Sequence, residues 1–403
     1  MVAGQATLEA SVRPDIMFDN AGVRLLYTKA NGIDIQKKVV MTSDGDQIHY
    51  DKLLIATGAR PIIPSIKGID AKGVFTLRTG KDASLIAEYI KEQEVKSFVV
   101  VGGGAIGLEV GSLLAMKGLK FTMVEALKNL VQMQFDREFS EEIEGYLVLK
   151  GVQLILKERV SAIIKNNGTL WGVELSIGER FPTDMVILAV GAKANLELAT
   201  DIGLEIGSAG IKVNEYMETS IPDIFAAGDC VETPSFITQK PIPGQLRSHA
   251  VIQGRLVAKR IAGYDIQFPG ILNCFATKIF DQSIASVGLT EAIAQKEGIE
   301  TISAVVSSRN KHIMMEGVMP YKLKLVFDKD SKQLIGGQII SDSDMPIKEI
   351  DTINCAILSR ATVENLTTFM CAGHPEISPE PSAEPITLAA EEVLQKMRNK
   401  TYK

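Results

Sequence analysis

"SFVVVGGGAIGLEVGSLLAMKGLKFTMVE", residues 97–125, runs from a strand through a glycine turn and a helix to a second strand. Phe98 to Val101 is an apolar, β-branched run of the kind that forms a buried parallel strand. Gly102, Gly104 and Gly107 follow in G-x-G-x-x-G spacing. The first glycine permits a tight turn, the second lets backbone N–H groups approach a pyrophosphate, and the third lets the next helix pack closely on its strand. A helix opening at Ala105 aims its positive end at the phosphates. Ile106, Leu108, Val110, Leu113 and Leu114 keep helical spacing, Gly118 stops the helix, and "KFTMVE" forms the second strand. Glu125 closes that strand about twenty residues beyond the glycines, where a carboxylate accepts hydrogen bonds from both ribose hydroxyls and repels a 2′-phosphate. Residues 126–134 offer only Lys128 to offset that charge. The stretch predicts a dinucleotide site in an α/β domain, with NADH favoured over NADPH.

The rest of the composition narrows the class. The chain has 403 residues, 46% of them hydrophobic and 23% charged, which fits a globular protein of two or three domains. A net charge of −6 without a basic block argues against nucleic-acid binding. The opening "MVAGQATLEASVRPD" has neither a basic start nor an apolar core, and no apolar run reaches the roughly eighteen residues of a membrane span. A cytoplasmic location without membrane contact is expected. Cys230, Cys274, Cys355 and Cys371 lie far apart with no C-x-x-C, so each reads as a small buried apolar side chain. The four scattered histidines lack ligand spacing, so no metal is expected.

An internal echo bears on the first hundred residues. "DKLLIATGARP" at 51–61 and "TDMVILAVGAKAN" at 183–195 share an acidic residue, an apolar strand, then a small residue and glycine before a basic residue. The second copy follows the glycine loop by roughly eighty residues, as the closing strand of such a domain does. If the first copy closes a similar domain, its own glycine loop falls before residue 1, and the chain is expected to start inside a nucleotide-binding domain.

The ordered set "ATGARP" (56–61), "FTLRT" (75–79), "GGGAIGLE" (102–109), "ILAVGAKAN" (187–195), "IFAAGDC" (224–230) and "HAVIQGRLVA" (249–258) resembles the pyridine nucleotide-disulfide oxidoreductases. These are the flavoproteins related to NADH oxidases, coenzyme A-disulfide reductases and rubredoxin reductases. The resemblance covers the chain from about residue 10, without the family's first FAD glycine motif and its redox cysteine. It implies an α/β fold of two Rossmann-like domains, the first truncated, with a C-terminal α+β dimerisation domain. Residues 1–78 and 196–268 correspond to the FAD-binding domain, 79–195 to the NAD-binding domain and 269–403 to the interface domain of a homodimer.

The resemblance also implies roles for single residues. Ile106 and Glu109 lie beside the nicotinamide, Gly191 brings backbone close to NAD, and Thr57 and Gly58 do the same for FAD. Ile221 to Ala227 reads as a strand, so Gly228 and Asp229 stand at its C-terminal end, where α/β sheets bind ligands. In the family the matching aspartate binds the ribityl chain of FAD. His249 to Ile261 reads as a helix whose N-terminus, in the family, faces the pyrimidine end of the flavin; His249 itself reads equally as a surface cap and takes no catalytic role. His374 and Pro375 match a His-Pro pair that supplies an imidazole acid–base group to the partner subunit in the disulfide reductase branch. The glutamate expected five residues later is replaced by Pro379.

The implied activity is an FAD-dependent NAD(P)H oxidoreductase, passing a hydride from NADH to flavin and on to oxygen, a quinone, a small disulfide or an electron-carrier protein. The alternative is an NADH-binding fragment or subunit without stably bound FAD, completed by a partner chain.

Overall fold

The computed structural model of the chain describes Val2 and residues 7–401. Internal contacts divide it into two compact units. Met1–Ile63, Thr76–Glu88 and Gly191–Ile271 form one, and Pro64–Phe75, Tyr89–Val190 and Leu272–Lys403 form the other.

The second unit holds the glycine loop. Its parallel sheet runs in the order Val74–Thr76, Met185–Leu188, Ser97–Val101, Lys120–Glu125, Gln153–Leu156. Val101 stands opposite Leu188 on one side and Val124 on the other. All four residues of Met185–Leu188 are buried, as expected for a parallel strand covered on both faces. Helix Ala105–Ala115 crosses from Ser97–Val101 to Lys120–Glu125, whereas Met185–Leu188 joins the opposite edge of Ser97–Val101. The strand order therefore reverses at Ser97–Val101, which opens a crevice at its carboxyl end. Val99, Val101, Val124, Val186 and Leu188 share a core with Val160, Ile163 and Val173 of a small antiparallel sheet beside them.

The same unit contains a five-stranded antiparallel sheet ordered Phe275–Ile279, Gln282–Gly288, Leu334–Ser341, Pro320–Asp328, Thr301–Arg309. Leu334–Ser341, its central strand, is buried along its whole length, with helix Glu349–Leu358 packed against it. A charge sits inside this packing. Lys324 is 1% exposed, and its ammonium is ion-paired to Asp136 (2.9 Å), Glu291 (2.6 Å) and Glu138. Burial pulls its pKa down, but the carboxylates outweigh that, and the net direction is upward. Gln338, opposite Lys324 on the neighbouring strand, donates to Asp136 Oδ2 and accepts from its backbone N–H.

In the first unit, Leu53–Ile55 pairs in parallel with Ile224–Ala226. The strand expected over 221–227 is thus shorter, because Asp223 takes a positive φ of 67° and its carboxylate binds Lys38 and Lys52 before the strand begins. Helix Arg247–Ile261 starts two residues earlier than its apolar pattern predicts. No helix among the described residues is long and apolar enough to cross a membrane.

Candidate functional site

The loop after Ser97–Val101 turns at Gly102, with φ at 109°; a Cβ there would lie 2.4 Å from the Ala189 carbonyl oxygen. A Cβ on Gly107 would lie 2.2 Å from the Gly102 carbonyl oxygen, so the helix reaches its strand only because that side chain is missing. Gly104 differs: it is the N-cap of helix Ala105–Ala115, no side chain caps it, and nothing lies within 4 Å of where its Cβ would be. The unsatisfied N–H groups at this helix start open on space, an arrangement that fits a pyrophosphate. Ile106, one residue into the helix, is 50% exposed. Gly111, two turns in, lies against the Phe121 ring; this close packing was not evident from the glycine motif.

Glu125 is positioned by the loop it was expected to complement. Its Oε2 accepts from Gly103 N at 2.6 Å and its Oε1 from Leu127 N at 2.7 Å. Each oxygen retains a further lone pair for a ribose hydroxyl. Glu109 is exposed, and its carboxylate meets the Thr277 hydroxyl at 3.5 Å, on the Phe275–Ile279 strand.

In the other unit the two echo stretches bind each other. Ala59–Pro61 and Ala192–Ala194 form an antiparallel pair, Ala59 opposite Ala194. Thr57 Oγ1 donates to the Asn195 carbonyl at 2.7 Å, Asn195 Nδ2 donates to the Thr57 carbonyl at 2.9 Å, and Ile62 N donates to the Gly191 carbonyl at 2.9 Å. Gly58 follows the end of Leu53–Ile55, and Gly228 and Asp229 follow the end of its parallel neighbour Ile224–Ala226. These ends line a cleft of about 360 Å³, with Gly58, Arg78, Gly228, Asp229 and Arg247 on its walls.

Arg78 Nη2 donates to Asp229 Oδ2 in this cleft. Sequence reasoning noted "FTLRT" but assigned Arg78 no role, since its partner lies 151 positions away. Gln253 was likewise missed; its Oε1 accepts from Gly228 N at 2.8 Å. The surface-cap alternative for His249 does not hold: it is 7% exposed, and burial holds its pKa below the ordinary imidazole value.

His374 is exposed and engaged with its own turn: its Nδ1 accepts from Glu376 N at 3.3 Å and its N–H donates to Ser378 Oγ at 3.0 Å. Cys230 is buried, as expected, but Cys355 is exposed on helix Glu349–Leu358, and Cys274 and Cys371 are partly buried. Burial pushes the Cys274 thiol up to about 11, which disfavours its thiolate.

Residues 4–252 match the pyridine nucleotide-disulphide oxidoreductase family, and residues 274–384 match its dimerisation domain. An NADH oxidase of Methanocaldococcus jannaschii is 34% identical over 93% of this chain and 84% of its own length. An NAD(P)H sulfur oxidoreductase (CoA-dependent) of Pyrococcus abyssi is 33% identical over 91% of this chain and 82% of its own. Among solved structures, an NAD-dependent persulfide reductase from A. fulgidus superimposes with a TM-score of 0.93 at 32% identity, covering 99% of this chain and 75% of that one. The glycine loop, the paired strand ends and these similarities over most of both lengths agree: the chain belongs to the pyridine nucleotide-disulphide oxidoreductase family.

Proposed function

We propose that this oxidoreductase takes a hydride from NADH, passes the electrons through FAD, and delivers them to a small acceptor. The observation that carries the NADH half is the open space before Gly104 at an uncapped helix start, beside a carboxylate held by the loop's own backbone. Gly102, Gly104 and Gly107 would cradle the nicotinamide dinucleotide, with Glu125 on the adenosine ribose and Ile106, Glu109 and Gly191 toward the nicotinamide. Glu125 would select NADH, because a 2′-phosphate would meet its charge.

The cleft at the ends of Leu53–Ile55 and Ile224–Ala226 supports the flavin half. Thr57, Gly58, Gly228 and Asp229 would hold FAD, with Asp229 oriented by Arg78. FAD supplies a two-electron acceptor for the hydride and a donor for the second substrate. The protein contributes positioning and charge: Asp229 accepts hydrogen bonds from hydroxyls, and the start of helix Arg247–Ile261 favours negative charge near it. Relatives named as an NADH oxidase and a sulfur oxidoreductase favour oxygen or a small sulfur compound as acceptor over a quinone or carrier protein. The matched dimerisation domain supports a homodimer, and four unpaired cysteines suit the reducing cytoplasm.

A visible absorption spectrum of the purified chain, supplemented with FAD and then treated anaerobically with NADH, tests the proposal. Flavin bands that bleach with NADH support it. Protein that binds NADH but takes up no FAD overturns it.

A further inference from the structure

Helix Arg247–Ile261 turns Arg247, Ala250 and Gly254 to the cleft and buries His249 and Gln253. Residues four apart lie one above the other on a helix face, so His249 and Gln253 form one column beneath the cleft wall. Gln253, fully buried, accepts from Gly228 N at 2.8 Å and so holds the turn that presents Asp229. Nearby, the Gly244 carbonyl accepts from Leu246 N at 2.8 Å, closing the turn that carries Gln245 and Arg247 into the cleft.

Neither side chain is a good choice for packing alone. His249 Nδ1 and Gln253 Nε2 are buried polar atoms without a hydrogen-bond partner in the described chain. A leucine at either position would avoid that cost. What a leucine at position 253 lacks is the acceptor for Gly228 N.

We propose that Gln253 is a positioning residue of the flavin cleft, a clamp that sets the Gly228–Asp229 turn through its bond to Gly228 N. The clamp rests on the flavin reading of this cleft, and Gln253 does not touch the reacting atoms.

The test uses the full chain and FAD itself. Gln253→Leu is expected to raise the FAD dissociation constant at least about tenfold, the equivalent of about 1.4 kcal/mol. Leu256→Ala, a buried apolar change on the same helix, is expected to lower the melting temperature and leave the dissociation constant unchanged. In FAD-free protein, Gln253→Leu is expected to accelerate amide exchange at Gly228. If Gln253→Leu does not fold, Gln253→Met, which keeps the length of the side chain without the acceptor, replaces it.

Parent protein that binds FAD while the folded variants bind it equally well overturns the clamp alone. So does unchanged exchange at Gly228 in Gln253→Leu. Parent protein that takes up no FAD overturns the flavin reading and this role together.

Discussion

Arg78 and Asp229 are joined by an ion pair, Nη2 to Oδ2, although they belong to segments 151 positions apart. The Asp229 carboxylate is 10% exposed and the Arg78 side chain 36%, so the pair is half in the cleft wall and half in the cleft. Removing the guanidinium would leave a buried carboxylate without its cation. Arg78→Leu is expected to cost about 1–3 kcal/mol, the lower figure reflecting solvent screening at Arg78. Adding Asp229→Asn should restore part of that loss, because the two sites are coupled. Denaturant titration of the four proteins in the cycle measures this, and simple additivity would mean that the pair contributes nothing.

Glu125 has two tasks that a pair of substitutions separates. Its carboxylate holds Gly103 N and Leu127 N, and on the proposed function it also reads the ribose. Glu125→Ala is expected to weaken NADH binding by about 10–100-fold, the range of a charged hydrogen bond. NADPH binding should fall less, since the repulsion disappears as well. Dissociation constants from nucleotide fluorescence supply the comparison. Equal losses for both nucleotides would assign Glu125 to the loop only.

Lys324 should be among the most sensitive positions for stability. Lys324→Met would leave Asp136, Glu138 and Glu291 gathered around an uncharged side chain, at an expected cost of about 3–5 kcal/mol. Gln338→Leu, which strands the Asp136 backbone N–H, should cost about 1–3 kcal/mol. Chemical denaturation is the measurement, and the Lys324 effect should persist at high salt, because a buried cluster is screened little.

Glu349 makes stability depend on pH. Burial raises its pKa from 4.5 to about 7, with Glu384 adding to the rise and the Tyr321 hydroxyl, 2.8 Å from Oε1, opposing it. The folded protein therefore keeps a proton that the unfolded chain releases. Below about pH 4.5 this group carries no penalty; stability then falls as pH rises and levels off above about 7. The full effect is on the order of 3 kcal/mol. Glu349→Gln retains an acceptor for Tyr321 and should raise the melting temperature at pH 8 with little change at pH 4.5. An equal shift at both pH values would rule out titration of Glu349 as the cause.

Local sequence was informative wherever neighbours in the chain are neighbours in space. The apolar run, the three glycines, the helical spacing up to Leu114 and the stop at Gly118 all describe contacts within about twenty residues, and strand, helix and strand form at those places. Cys355 and His249 show the limit. Cys355, expected to be buried, faces outward on its helix, and His249, whose place the sequence leaves open, faces inward.

The sequence by itself determined the α/β class and the nucleotide loop, because backbone geometry at Gly102 and Gly107 depends on the absence of a side chain at those positions. Only the tertiary structure decided that Arg78 meets Asp229, that the two echo stretches pair as strands, that Gln253 holds Gly228, and that Lys324 gathers three carboxylates. Each of those is a contact between distant segments, whose partner is chosen by the packing of whole elements and leaves no periodic mark along the chain.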